Sequence, residues 1–251
     1  MRGFITGGAG FIGSHLCDAL MEQGWEVECY DDLSTGRMAN IKRWLLHPRF
    51  SFTKPGRLPQ LDIQRGVLQA DVVFHLASPV GVERVIRHPR HCLRAMTQLS
   101  QQVFEAAAYS HKKVFYASSS EATEWSDTSV PRAAYGIAKA YCESLGYSYF
   151  SQGVMPFVAG RLYNIAGPRQ SADFVISRFV RNALSGQPLM VYGDGRQSRC
   201  FCHVLDAVEA IPAMAINDGM AGVTVDIGCN EAVTMNELAE QVVALAGSNS
   251  S

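Results

Sequence analysis

The sequence predicts an α/β protein built on a doubly wound parallel sheet, and three observations carry that prediction. Short apolar runs alternate with longer helix-like stretches through most of the chain. The run DVVFHL at residues 71–76 is near-continuously apolar, as a strand buried on both faces should be. The first strand-like run passes through a glycine-rich turn straight into a helix-like segment. Strands alternating with helices at this pitch imply βαβ units with right-handed crossovers.

Taken in order, residues 4–6 read as a strand and 11–23 as a helix, closed by Gly24 as a C-terminal glycine commonly closes one. Residues 26–30 and 50–53 read as the second and third strands and 71–76 as the fourth. A helix ends at 103–108, a strand follows at 114–117, a long helix at 134–150 and a strand at 156–162. After Gly167-Pro168 the pattern changes. Helices are expected at 174–184, 204–215 and 235–246, and strands at 190–192 and 224–227. The division expected is a main domain over residues 1–167 and a smaller, partly interleaved lobe over 168–251, the strand near 224–227 returning to the main sheet.

Composition narrows the functional classes. The chain has 251 residues, 47% hydrophobic and 18% charged, with a formal net charge of -1 at pH 7. Such a surface gives nucleic acid or an anionic membrane no reason to bind. Basic residues between Arg84 and Arg94 are interrupted and read as a solvated helix face. No apolar run approaches the roughly 20 residues that span a bilayer, and the start of the chain lacks the pattern of a secretory signal. Seven scattered cysteines, an odd number, point to free thiols and a reducing, cytoplasmic setting. Cys200, Cys202 and His203 alternate between strand faces without a second ligand pair, so no metal is expected.

The strongest local signal is Thr6-Gly7-Gly8-Ala9-Gly10-Phe11-Ile12-Gly13. Gly7, Gly10 and Gly13 stand where a strand ends and a helix begins. Glycine there allows a tight turn and close approach of backbone to a pyrophosphate, and the helix start supplies N–H groups to the phosphates. The second strand ends in Tyr30-Asp31-Asp32, with Asp31 18 residues beyond Gly13. An acid there accepts from both ribose hydroxyls of NAD and repels the 2′-phosphate of NADP. The competing reading, a turn or capping acid, suits Asp32 better, since Ser34-Thr35-Gly36 follow. The fold is therefore of the Rossmann type and the cofactor NAD.

Tyr135 and Lys139 stand four residues apart and share one face of a helix. A nearby ammonium, with the positive nicotinamide, lowers a phenol's pKa, so Tyr135 is a candidate base for a sugar hydroxyl. Ser118, Ser119, Ser120 and Glu121 follow the strand at 114–117, at the strand end where open α/β sheets bind ligands.

Together these blocks resemble the extended short-chain dehydrogenase/reductase superfamily, in its NAD-dependent nucleotide-sugar epimerase, dehydratase and decarboxylase group. TGGAGFIGSHL, YDDLSTG, DVVFHLAS, YASSSE, YGIAK, RLYNIAGPRQ and VYGDGRQSR occur in the family's order across essentially the whole chain. The resemblance implies a mechanism. Tyr135, with Lys139, is the base in the oxidation of C4 of a nucleotide sugar to a 4-keto intermediate; the hydride is later returned. It assigns Ser119 to the catalytic Ser/Thr position and Ser120 and Glu121 to the two after it. It adds Phe11, Ile12, Leu76 and Ala77 to the cofactor contacts. It gives Asn164 and Arg199 to the sugar nucleotide, Arg199 at the diphosphate. Dehydratases of the family carry Asp where Ser120 stands, which disfavours that branch. Ser-Glu is similar to the UDP-glucuronate decarboxylases and to some 4-epimerases. The resemblance further implies a homodimer paired through helices; residues 103–107 and 141–150 are one candidate face, which an intramolecular helix contact explains equally well.

Five features depart from the family. Ala122-Thr123-Glu124 replaces its Val-Tyr-Gly, and Ser119 and Tyr135 are only 16 residues apart. Gly56 falls where an adenine-contacting acid is common, with Asp62 in a shifted register, and Met96 where Asn is common. The family's lobe also continues past residue 251 with a further diphosphate-binding Arg, so the lobe is expected to be partial and sugar binding weaker than cofactor binding. The readings are a UDP-sugar 4-epimerase first, a UDP-glucuronate decarboxylase second, and a non-catalytic NAD-binding module third.

Overall fold

The computed structural model describes residues 1–79, 81–125, 127–248 and 250, and leaves the side chains of residues 82 and 84 undescribed. The first strand, β1 (Arg2–Thr6), buries Phe4 and Ile5 completely and turns at Gly7 into α1 (Phe11–Glu22). Then come β2 (Glu26–Tyr30), the short α2 (Met38–Ile41), β3 (Phe50–Thr53), α3 (Pro59–Gln69) and β4 (Val72–His75). α4 (Val82–Arg87) and α5 (Pro89–Tyr109) lead to β5 (Lys113–Ser119), and α6 (Ala133–Ser151) to β6 (Phe157–Leu162). The remaining elements are β7 (Ile165–Ala166), α7 (Val175–Leu184), β8 (Ser198–Cys200), β9 (Cys202–His203), α8 (Val204–Ile216), β10 (Thr224–Ile227), β11 (Ala232–Thr234) and α9 (Met235–Ala246).

Seven strands form one sheet in the order β3-β2-β1-β4-β5-β6-β10. From β1 to β6 every pairing is parallel, with Gly3 opposite Val27 on one side and Val72 on the other. The direction of winding reverses between β1 and β4. That switch point is where an open α/β sheet leaves a crevice at its carboxyl edge. All four residues of β4 are buried, as strands covered on both faces require.

The chain divides into two compact units. Met1–Leu162 and Val208–Asp226 form the first, and Tyr163–Ala207 with Ile227–Ser251 the second. The chain crosses between the units at three places, and β10 near 224–227 joins the main sheet. The first unit's core gathers Phe4, Phe104, Tyr116 and Phe157. Phe104 meets Phe157 edge-on at 5.5 Å, a favoured aromatic geometry. The second unit's core joins Phe179, Ala183 and Leu189 to Met235, Leu238 and Val242. There α9 is started by a capping box between Thr234 and Glu237 and ended by left-handed Gly247. Among the described residues, no helix is long and apolar enough to cross a membrane.

Two local expectations need correction. Residues 190–192 form no strand; β8 at Ser198–Cys200 does, paired antiparallel with β11. Strand propensity is realised only against a partner, and Val191 packs instead on the α7–α9 core. The helix α3 was not expected, because it buries only Ile63, Gly66 and Val67. Of the basic run, Arg87, Arg90 and Arg94 are exposed, while the Arg84 side chain lies outside the described residues.

Helix-to-sheet spacing in the first unit depends on missing side chains. A Cβ at Gly146 of α6 would overlap the ring of Phe157, and one at Gly66 of α3 the ring of Phe4. Gly146→Val is therefore expected to cost about 1–3 kcal/mol through overpacking. Thermal unfolding measures it; an unchanged midpoint would show that α6 can lift from β6 without penalty.

Candidate active site

The glycine turn is built by close backbone approach. Gly7 has φ +74°, and a Cβ on it would stand 2.8 Å from the Ala77 nitrogen beyond β4. A Cβ at Gly13 would overlap the Gly7 carbonyl oxygen, and one at Gly8 would stand 2.7 Å from the Cys29 sulfur. α1 therefore starts tight against the turn, with Gly10 at its N-cap and no side chain or first-turn acid capping it. Its first N–H groups, at Phe11, Ile12 and Gly13, suit an anion.

Asp31 is buried at the end of β2. Its carboxylate accepts from the Ala9 N–H at 3.0 Å and the Leu33 N–H at 2.7 Å. Burial raises its pKa, and the N–H donors of Leu33 and Ala9 pull the other way. Two of roughly four lone-pair positions are thus spent, which leaves capacity for a vicinal diol. Asp32 accepts from the Ser34 N–H, the turn-forming part expected of it. Asp62 accepts from the Gly56 N–H at 2.9 Å, so those two family-variable positions meet.

A buried relay ties the turn to β4 and α5. The His75 ring bonds Thr6 Oγ1 through Nδ1 at 2.7 Å and Ser100 Oγ through Nε2 at 2.9 Å. Thr6 Oγ1 in turn accepts from the Ala77 N–H, next to Leu76. Burial, with the nearby Lys139 charge, lowers the His75 pKa to about 3, so the ring stays neutral. At the ends of β4 and β5, Ser78 Oγ and Ser118 Oγ are buried without a hydrogen-bond partner among the described residues. Glycine cradle, carboxylate and orphaned hydroxyls at the switch point together fit a dinucleotide.

The second cluster lies where β5 ends and α6 begins. The Ser119 hydroxyl accepts from the Glu121 N–H at 3.3 Å and stands near enough to the Tyr135 phenol to pull its pKa down. Lys139 is buried; its Nζ donates to the Ala117 carbonyl at 2.6 Å and lies 5.8 Å from the Tyr135 ring centre. Burial pulls the Lys139 ammonium down to about 8. Burial also pushes Tyr135 up to about 12, opposed by the Ser119 hydroxyl and reinforced by the Glu121 charge. The sequence-based expectation of a phenol lowered by Lys139 is thus not met in the chain alone. Desolvation outweighs the ammonium, which is itself disfavoured by burial and turned onto Ala117.

The start of the shortened segment between Ser119 and Tyr135 is packed. Ser120–Thr123 form a 3-10 turn, and a Cβ at Gly136 would overlap both the Glu121 carbonyl oxygen and the Trp125 indole. Arg132 Nη2 pairs with Glu121 Oε1 at 3.3 Å, and its guanidinium lies 5.7 Å from the Trp125 ring centre. In the second unit, Asn164 adopts φ +39°, and its amide donates to the Cys200 carbonyl at 3.1 Å. Arg199, on β8, is exposed, with Nη1 on the Ser198 carbonyl. The geometry thus joins Ser119, Glu121, Tyr135 and Lys139 in one unit and puts Asn164 beside the Arg199 strand in the other. Sequence reasoning missed Thr6, His75, Ser100 and Arg132. Their only signal is polarity within apolar or loop segments, which does not announce a partner.

Comparison with known proteins adds the family. Residues 4–228 match the NAD dependent epimerase/dehydratase family. The chain is 36% identical over 265 residues to the UDP-N-acetyl-alpha-D-glucosaminuronate decarboxylase of Bacillus cytotoxicus, covering 99% of this chain and 81% of that protein. It is 31% identical to UDP-glucuronic acid decarboxylase 1 of Xenopus tropicalis, over 98% of this chain but only 61% of the relative's length. Among solved structures, UDP-N-acetylglucosamine 4-epimerase from Methanobrevibacter ruminantium superposes with a TM-score of 0.89 at 30% identity, covering 99% of this chain and 83% of that one.

The relay carries a pH prediction. The His75 pKa is lowered from 6.5 to about 3, so above pH 6.5 its neutral burial costs nothing in protons. As pH falls from 6.5 towards 3, the unfolded chain binds a proton that the folded chain refuses, and stability falls by up to about 1.4 kcal/mol per pH unit. Urea unfolding at pH 7 and 4.5 should show His75→Asn losing about 2–3 kcal/mol less than the unmodified protein over that interval. Equal losses would mean His75 is protonated in the folded chain.

Proposed function

The chain belongs to the NAD-dependent epimerase/dehydratase family, and on that premise we propose that it oxidises a UDP-linked sugar at C4 and returns the hydride as a 4-epimerase. The single observation that carries this reading is the cluster of Ser119, Tyr135 and Lys139, with Ser119 near enough to lower the Tyr135 pKa and Lys139 Nζ, one helical turn further along α6, 5.8 Å from the Tyr135 ring centre. In it the C4 hydroxyl sits on the Ser119–Tyr135 pair. Ser119 aligns the hydroxyl, and Tyr135 takes its proton and later gives it back. NAD, when bound, supplies a positive ring that accepts the C4 hydride and then returns it.

The remaining roles follow from position. Gly7, Gly10, Phe11, Ile12 and Gly13 hold the pyrophosphate on the start of α1. Asp31 takes the ribose diol, Leu76 and Ala77 border the nicotinamide half, and Lys139 holds its ribose. Asn164 and Arg199 take the sugar nucleotide; α5 and α6, a candidate pairing face, pack on each other within one chain and bury Val103, Phe104, Ala107 and Cys142 there. A second reading, decarboxylation, is favoured by Ser120-Glu121 and by the names of the Bacillus and Xenopus relatives. A ketone at C4 stands β to a C6 carboxylate, so breaking the C5–C6 bond releases CO2 and leaves its electron pair as an enolate, which takes a proton from solvent at C5.

Tyr135→Phe is expected to keep NAD and to lower sugar oxidation by about 10²–10⁴-fold, the usual range for removing a general base. NMR of the sugar product formed from UDP-sugar by the NAD-loaded protein reads it, and near-normal turnover would remove Tyr135 as the base. Asp31→Ala should weaken NAD more than NADP in equilibrium binding. Equal affinity for the two cofactors before and after the change would end the ribose assignment.

A further inference from the structure

Resting on the reading that Lys139 holds the cofactor beside Tyr135, we propose that Glu143 is a positioning residue for Lys139, and that its carboxylate, clamped by the Arg161 fork, keeps the buried ammonium charged. Glu143 stands four residues after Lys139 on α6, as Lys139 stands four after Tyr135. The three therefore share one helix face, with successive Cβ atoms about 5–6 Å apart. Lys139 and Glu143 are both buried, at 3% and 6% exposure. Arg161, near the end of β6, donates from Nε to one Glu143 oxygen at 2.9 Å and from Nη2 to the other at 2.7 Å. A bidentate fork fixes where the carboxylate points as well as how far away it is.

These contacts close a frame around the ammonium. Lys139 Nζ reaches the Ala117 carbonyl of β5 at 2.6 Å. Ala117 lies opposite Gly160 of β6, and Ser118 opposite Arg161. The helix is thus pinned to two neighbouring strands at two points one turn apart, just before the strand end that carries Ser119. Charge matters there because burial pulls Lys139 down to about 8, against the opposing influence of Cys142 and Glu143. A thiol contributes negative charge only when ionised, whereas a carboxylate on an arginine fork carries it at neutral pH. The other titratable groups around Lys139 are Tyr135 on α6, Tyr116 on β5, its ring centre 4.9 Å from Nζ, and His75 on β4. Both phenols are pushed up and His75 is lowered to about 3, so all three are neutral where Lys139 titrates. Glu143 itself is faced by Arg161 on β6, Tyr147 on α6 and Tyr116 on β5.

An NMR titration of isotope-labelled lysine Cε in the sugar-free protein tests this, with the Lys139 signal identified by its loss in Lys139→Arg. Glu143→Gln should move the Lys139 midpoint down by about one pH unit, the effect of losing a close opposite charge. Glu143→Asp, which keeps the charge, should recover part of it. Arg161→Gln frees the carboxylate from its fork and should move the midpoint up. An unmoved midpoint in Glu143→Gln, or shifts of the same sign in Glu143→Gln and Arg161→Gln, would overturn the proposal. NAD affinity, measured by calorimetry on the same proteins, tests the underlying reading separately. With the midpoint lowered, Glu143→Gln should bind NAD almost normally at pH 6 and about fivefold more weakly at pH 8, following the charged fraction of Lys139. A midpoint that moves while NAD affinity ignores pH would leave Glu143 in its role and remove Lys139 from the ribose.

Discussion

Gly7 lies so close to the backbone beyond β4 that a single added carbon would meet Ala77, and Gly13 so close to Gly7 that another would meet its carbonyl oxygen. These approaches set how tightly the first helix starts against the sheet. They open the crevice at the β1–β4 switch point and aim the free N–H groups of α1 into it. The Thr6–His75–Ser100 relay fastens the same place from below, linking β1, β4 and α5 by two buried hydrogen bonds. A neutral histidine suits this task, because it accepts at one nitrogen, donates at the other and brings no charge into the core. Sheet order, glycine turn and relay are one mechanical unit.

The proposed catalytic pair lies one strand further along, where burial works against charge. Tyr135 is pushed up to about 12 and Lys139 down to about 8 by desolvation. A resting site of neutral phenol and weakened ammonium is a sensible standby for a proton acceptor that should act only beside a cationic cofactor. Glu121 adds negative charge next to the phenol, and Arg132 offsets it. Between Ser119 and Tyr135, Trp125 and the Glu121 carbonyl lie close against Gly136, while residues 127–132 are exposed.

Legibility in the sequence followed distance along the chain. Gly7, Gly10, Gly13 and Asp31 were readable because one βαβ unit carries them all at fixed spacing. Tyr135 and Lys139 were readable because one helix turn separates them. Ser119 could be placed at a strand end, but its approach to Tyr135 depends on two elements meeting. The Thr6–His75–Ser100 relay joins three distant segments, and His75 sat inside a run read simply as apolar. Residues 190–192 had strand-forming side chains and no partner, while α3 had a partner and too few apolar residues to show it. Pro59 and Pro89 each begin a helix at its first turn, a start signal available in the sequence. In the chain alone burial raises the Tyr135 pKa, an effect of the fold that charges and spacing in the sequence do not show, while the expected lowering was assigned to Lys139 together with the positive nicotinamide.

The account's central claim is that hydride leaves C4 of a UDP-sugar, stays within the site and returns to C4. The most direct test is one turnover of NAD-loaded protein with UDP-glucuronate and UDP-glucose carrying deuterium at C4, with the product read by NMR. The account predicts a product that keeps deuterium at C4, whether its configuration there is inverted or its carboxylate lost. Deuterium released to solvent, or unchanged substrate from both sugars, would contradict it.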